Sequence, residues 1–301
     1  MNHPLTARSV LTYTRTVAVA ALLATITAAG CGSSDSAPDD VANDLEAGGE
    51  SPFKAGGNLD GSAAGELDGE VAEDLDAKPP MDAKGKILPD GRVVTYVSLG
   101  TAGAFVVLSG ETVTNTGFTI INGNVGLSPG SAITGFPPGI VNGVVHISDA
   151  VAAKAKQDLN NAYADAAMRS GAPISLSGDL GGMTLKPGLY VSPTSIEVTS
   201  GDLKLDAEGD EDAIWVFQIG TTFVSMVDRK VILINNARHD NVFWNTGSSA
   251  TIGVGSTMVG NFLTQTSITV QTGATMEGRF LTQTGSVTFD SNRVNRPPPV
   301  H

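Results

Sequence analysis

From Tyr96 onward the chain is written in short runs in which apolar and polar residues alternate, broken by Gly, Asn and Pro. In Ser267-Ile268-Thr269-Val270, a two-residue alternation puts Ile268 and Val270 on one side of a strand and Ser267 and Thr269 on the other. The runs also repeat. Gly255, Thr257, Met258 and Gly260 return 18 residues later as Gly273, Thr275, Met276 and Gly278, and Phe262-Leu263-Thr264-Gln265 returns as Phe280-Leu281-Thr282-Gln283. Ile268-Thr269-Val270 returns one residue later still, as Val287-Thr288-Phe289, because Gly285 is inserted. A period near 20 marks a solenoid, in which each repeat buries its apolar side only against its neighbours. Strands and turns with no helix in the repeat predict a β-helix.

One segment breaks this texture. Between Ser148 and Gly171, Val151, Ala155, Leu159, Ala162 and Ala166 recur at helical spacing. The pattern predicts a helix capped by Ser148, with Asp149 in its first turn, and ended by Gly171 after Arg169. Its stripe is mostly alanine, so the helix can lie close along the flank of the solenoid.

Charge changes the picture at the N-terminus. The chain carries −13 over 301 residues. Fifteen acidic side chains against four lysines fall within residues 32–90, so most of that charge belongs to one segment. Rich in Gly, Ala, Asp and Glu, this segment has too little apolar surface to offset its ordering entropy and reads as a structureless tether over 31–95. Before it, Arg8 and Arg15 precede a short apolar run ending in Ala28-Ala29-Gly30-Cys31. That is the form of a secretory signal over residues 1–30. Its likeness to a bacterial lipoprotein signal makes Cys31, the chain's one cysteine, the lipid-bearing residue. The expected location is then the cell envelope, at the outer membrane with the membrane touched through the lipid alone, or else the secreted space. Without a basic patch, a nucleic-acid partner is not expected. Residues 295–301 read as a Pro-rich tail, leaving one folded domain over 96–294.

Several motifs together carry a family resemblance. They are LGTAGAFVVLSGETVTNTGFTIINGNVGLSPGSAITGF at 99–136, the helix ending AYADAAMRSG, GGMTLKPGLY at 181–190, AIWVFQI at 213–219 and the repeat to Asp290. The chain resembles the ice-binding protein family of bacteria, fungi and algae. The resemblance implies a mostly β fold, an irregular right-handed parallel β-helix with one long helix along its side. It also implies a non-enzymatic monomer without cofactors, whose partner is the ice surface.

Ice is a flat, rigid lattice of hydrogen-bonding groups. Stacked coils about 4.8 Å apart, with alternate strand residues about 6.7 Å apart, supply a matching array. Threonine suits such an array because its hydroxyl bonds water and its branched Cβ is stiff. The surface motif implied by the resemblance is Thr, then Ala or Gly, any residue, then Thr or Asn. Thr272-Gly273-Ala274-Thr275 and Thr116-Gly117-Phe118-Thr119 fit it, while Ser131-Ala132-Ile133-Thr134 and Thr246-Gly247-Ser248-Ser249 fit it loosely. Stacking adds Thr257 beside Thr275, and Thr251 beside Thr269 and Thr288. Thr264 with Thr282 makes a competing ladder. The face holding Thr272 and Thr275 is the leading candidate.

The remaining candidates read as scaffold. Trp215 and Trp244 are expected in the core, His146 at a packed turn and His239 in a loop. Asp206, Glu208, Asp210, Glu211 and Asp212 form a solvated acidic loop rather than a metal site. Two rival functions share the fold. One is a surface adhesin or structural module. The other is a polysaccharide-degrading β-helix enzyme, for which the C-terminal coils supply only Glu277, Arg279 and Asp290.

Overall fold

The computed structural model describes residues 86–87 and 93–296. The signal segment, Cys31, most of the tether and the tail after Arg296 lie outside the described residues. Within the stretch expected to be structureless, Lys86–Ile87 pairs antiparallel with Val93–Val94. The folded domain beyond it is a parallel solenoid of three sheets.

Each coil contributes one strand to each sheet. The helix-side sheet stacks Ile174–Ser175, Gly188–Ser192, Trp215–Ile219 and Val242–Thr246, then the second halves of Thr257–Thr264 and Thr275–Thr282. Phe105–Ser109, Asn124–Leu127 and Val145–Ile147 follow. The second sheet stacks Gly178–Asp179, Ile196–Val198, Phe223–Ser225, Ala250–Ile252, Ile268–Val270, Val287–Asp290, Thr112–Thr116 and Ala132–Thr134. The third starts with Thr184–Leu185, Leu203–Asp206 and Val231–Ile234 and ends with Arg293–Asn295, Ile120–Asn122 and Ile140–Asn142. Between these sets lie the first halves of the two eight-residue strands. Those strands turn the corner at Gly260 (φ +102°) and Gly278 (φ +152°). A Cβ at Gly278 would stand 1.9 Å from the Gly260 carbonyl oxygen, so only glycine fits this bend.

The 18-residue repeat is the register itself. Thr257 lies beside Thr275 and Leu263 beside Leu281, while Ile268 lies beside Val287 across the inserted residue. Residues 105–147 form the coils at one end of the stack, resting on the C-terminal coils: Phe280 pairs with Val107 and Val287 with Val113. Inside, Tyr190, Phe217, Trp244, Phe262 and Phe280 occupy one register column. Their successive ring centroids are 5.2, 4.1, 5.7 and 5.8 Å apart. Trp215 and Trp244 are both fully buried, as expected.

The helix spans Ala150–Met168, about 28 Å at 1.5 Å per residue. It packs Ala155, Leu159, Ala162 and Ala166 against Leu108, Val216, Phe243, Leu263 and Leu281. Two details differ from the expected pattern. Asp149, not Ser148, is the N-cap: its carboxylate accepts from the Ala152 N–H at 2.7 Å. Ser148 sits at φ +51° and instead donates to the Gly130 carbonyl at 2.7 Å. Val151 is half exposed, and Ala152 takes its place on the buried stripe. At the C-terminus the chain leaves the helix at Arg169, before Gly171.

Lys156 lies within the same stripe and is buried. Its ammonium donates to the Thr282 and Gln283 carbonyls. Burial pushes its pKa down to about 8, against about 10.4 for a free lysine. Between these values the unfolded chain binds more protons than the folded one, so stability rises with pH. Urea midpoints measured from pH 8 to about 9.5, below the tyrosine range, are expected to climb in the wild type. That increment should be missing in Lys156→Met, and equal slopes in the two proteins would refute it.

Candidate functional site

The three sheets meet the outside differently. The helix covers the first. The third is mixed: Lys204, Glu277 and Arg293 are exposed on it, among Thr257, Thr275, Ile120 and an amide ladder. In that ladder the Asn142 amide donates to Asn122 and the Asn122 amide to Asn295, each at 2.8 Å.

The second sheet is bare and regular. A four-residue pattern of Ser or Thr, apolar residue, Thr and apolar residue recurs on consecutive coils as Ser249–Ile252, Ser267–Val270 and Ser286–Phe289. Thr112-Val113-Thr114-Asn115 and Ala132-Ile133-Thr134-Gly135 are variants of it. Strand alternation buries the apolar residues Ala250, Ile252, Ile268, Val270, Val287, Phe289 and Val113 and turns the Ser and Thr residues between them outward. Pairing aligns Thr251, Thr269, Thr288, Thr114 and Thr134 in one outward column. Ser249, Ser267, Ser286, Thr112 and Ala132 form a second column beside it. Coil spacing of about 4.8 Å and alternate-residue spacing of about 6.7 Å make this a two-dimensional grid of hydroxyls. Hydrogen bonds tie its rows together: Thr112 Oγ1 donates to Ser286 Oγ at 2.8 Å, and Thr114 Oγ1 to Thr288 Oγ1 at 3.1 Å. The grid carries no charge in these two columns. It stops at Val224, beyond which the column continues as Glu197 and Asp179.

The residues expected from sequence divide among different places. Thr251 and Thr269 lie in the central column, and Thr116 is exposed at the rim of the same sheet. Thr257 and Thr275 are paired neighbours on the third sheet, with Thr275 Oγ1 donating to Thr257 Oγ1 at 3.2 Å. Thr272 sits in the turn between those sheets, its hydroxyl bonded to Asp290. Thr272 and Thr275 therefore do not share a face. Two candidates are corrected outright. Thr119 is fully buried, accepting from the Asn292 N–H at 3.0 Å, and Thr246 is fully buried at the end of a helix-side strand. Neither can touch an external surface. The expected Thr264–Thr282 ladder is fully buried as well. Sequence reasoning passed over Thr112, Thr114 and Ser286; the recurring four-residue pattern was the signal that finds them.

The scaffold candidates have structural partners. His146 Nδ1 lies 2.7 Å from Asp149, its ring edge-on to Phe105. His239 opens the short 3-10 turn His239–Asn241, where burial pulls its pKa down. In the acidic loop, Asp206 accepts from the Glu208 N–H and Asp210 from the Asp212 N–H, each bracing a turn. Glu277, Arg279 and Asp290 do not converge. Glu277 is exposed on the third sheet, and Asp290 ends a strand of the second. Arg279 is buried, bonded to Asp240 and Asn261 at 2.8 and 2.9 Å.

Fold and site together define a class: a helix-flanked β-solenoid that leaves one flat, hydroxyl-bearing sheet uncovered. Residues 107–295 match the family model described as ice-binding-like, and the chain belongs to that family. An ice-binding protein of Nostoc sp. (strain HG1) is 44% identical over 207 residues, which cover 68% of this chain and 76% of the relative. Ice-binding protein K3-B1 of Typhula ishikariensis is 33% identical over 192 residues, 56% of this chain and 77% of its own. Among solved structures, an ice-binding protein from an Antarctic biological consortium superposes with a TM-score of 0.67 at 48% identity, over 67% of this chain and 92% of its own. That of the ascomycete Antarctomyces psychrotrophicus gives 0.64 at 39% identity, over 67% and 98%.

Proposed function

We propose that the protein binds ice through the second sheet, without catalysing a reaction. The observation that carries this reading is the five-coil column Thr251–Thr269–Thr288–Thr114–Thr134 with its parallel Ser/Thr column. Stiff strands fix the hydroxyl positions before ice arrives, so little ordering entropy opposes adsorption. Methyl groups between the hydroxyls weaken competing liquid hydration. A charged face would hold mobile water instead, and the third sheet with its Lys204, Glu277 and Arg293 is unsuited for that reason. A single ice crystal grown in the purified protein is expected to develop facets and slow its growth. Round, freely growing crystals would overturn the reading in favour of an adhesin on the same fold.

We further propose that Cys31 carries a lipid anchor that displays the domain on the cell envelope. The basic, apolar and small-residue order before Cys31 supports this. Globomycin should make an uncleaved precursor accumulate, and palmitate labelling should depend on Cys31. A Cys31→Ala precursor processed as fast as the wild type would contradict it.

A further inference from the structure

The second sheet runs through eight coils, but its central threonine column fills only five of them. The column beside it does not end at Ser249. The Phe223 N–H donates to the Ser249 carbonyl and the Ile196 N–H to the Thr222 carbonyl, at 3.1 and 3.0 Å. Thr222 and Ser195 therefore continue that column of hydroxyls on the next two coils. Ile196 and Phe223 are fully buried, so alternation turns Ser195, Glu197, Thr222 and Val224 outward. The parallel register carries on past the grid, and what changes is the side chain in the central column: Thr251, then Val224, then Glu197. Val224 has the shape of a threonine with a methyl in place of the hydroxyl. Glu197 is the first charge the column meets.

The carboxylates beside this sheet are not alike. Asp179 accepts from the Gly181, Thr199 and Ser200 N–H groups and from the Thr199 hydroxyl, at 2.5–2.9 Å. Asp290 accepts from the Thr272 and Ser291 hydroxyls, and Glu111 from the Ser286 hydroxyl. Glu197 is half-buried and has no hydrogen-bond or ion-pair partner among the described residues. An ionised carboxylate accepts about four hydrogen bonds, so water must supply them at Glu197. Liquid water does this by turning its O–H groups toward the charge. Molecules in ice are fixed in orientation, so covering Glu197 with ice strips hydration that the lattice does not replace. The glutamate side chain is also longer and less stiff than that of threonine.

We infer that Glu197 sets the limit of the ice-contacting surface. The coil of Thr222 and Val224 is the last that ice touches, and the coil of Ser195 and Glu197 is held off although its backbone is in register. This inference rests on the ice-binding reading of the second sheet. Within that reading, Glu197 fixes the size of the contact without being one of the contacts.

Growth arrest of single ice crystals over a concentration series tests this on the full chain carrying Cys31→Ser, which keeps lipid out of the measurement. Glu197→Thr is expected to reach the same arrest at a concentration about two- to tenfold lower, the worth of one added hydroxyl contact. Its melting temperature should stay near that of the wild type, since threonine suits an outward strand position. Ser195→Ala supplies a readout that altered stability or solubility would not move. Alone it should leave arrest unchanged, because no ice reaches its coil; combined with Glu197→Thr it should cut the gain. No gain in a folded Glu197→Thr protein, with the wild type still shaping ice, would overturn the inference and leave the ice-binding reading standing. So would a gain that Ser195→Ala does not reduce, or a loss of arrest in Ser195→Ala alone. Round, freely growing crystals in both the wild type and Glu197→Thr would overturn the ice-binding reading and this inference together.

Discussion

Thr288→Tyr is expected to remove ice shaping while leaving the protein folded. Thr288 is exposed in the middle of the central column, between Thr269 and Thr114. Tyrosine keeps good strand propensity, and an exposed substitution of this kind costs within about 0.5 kcal/mol. At the ice surface the effect is collective. A ring standing above the sheet lifts Thr269, Thr114, Ser286 and Thr112 away together, and each lost hydroxyl contact is worth about 0.5–1.5 kcal/mol. Three such losses already reduce adsorption about tenfold or more. Growth-arrest measurements over a concentration series, paired with a melting curve, read both effects. The control is Thr275→Tyr on the third sheet, which should shape ice like the wild type. The opposite result would move the site to the sheet holding Thr257 and Thr275.

Trp244→Ala should cause the largest loss of stability. Trp244 is fully buried in the middle of the aromatic column, stacked at 4.1 Å on Phe217 and 5.7 Å from Phe262. Its indole N–H donates to the Val259 carbonyl at 2.9 Å. Truncation leaves a cavity and removes that carbonyl's side-chain donor, together about 3–5 kcal/mol. The position adds to the effect. A solenoid is held by contacts between adjacent coils, so a defect at its centre weakens both halves at once. Urea unfolding should show a midpoint shift of that size. A loss under about 1 kcal/mol would mean that the column is more plastic than its packing indicates.

The repeating coils and the helix were legible in the sequence because each rests on local periodicity. Thr257 to Thr275 and Ile268 to Val287 are adjacent copies of one unit, and the 18- or 19-residue shift is their register. Placing the site on one face was harder, because a Thr-x-x-Thr spacing does not stay within a strand. Thr272 and Thr275 stand on either side of a corner at Gly273 (φ +71°), which rotates the chain into another sheet. Thr116 and Thr119 stand on either side of Gly117 (φ +76°), and Thr119 turns inward to the Asn292 N–H. The two motif matches are not equivalent at their last position, since Thr275 is in register, through Arg293, with Ile120 and not with Thr119. Thr251, Thr269 and Thr288 could be aligned from sequence because no corner intervenes between copies. The place of residues 105–147 on the C-terminal coils left no local signal at all. The helix interrupts the period, and the join is made between strands some 174 residues apart.

That join decides when the domain can fold. Strands leaving a ribosome or an export channel N-terminus first find no base to stack on. Thr112–Thr116 needs Val287–Asp290, and Phe105–Ser109 needs Phe280 and Leu281. Closing so long a loop makes folding slow compared with chains whose contacts are local. The coils at the free end therefore stay open until almost the whole polypeptide has emerged. On the export route proposed above from the residues before Cys31, this delay would act as a timer, keeping the first-made coils open until the last-made strands arrive.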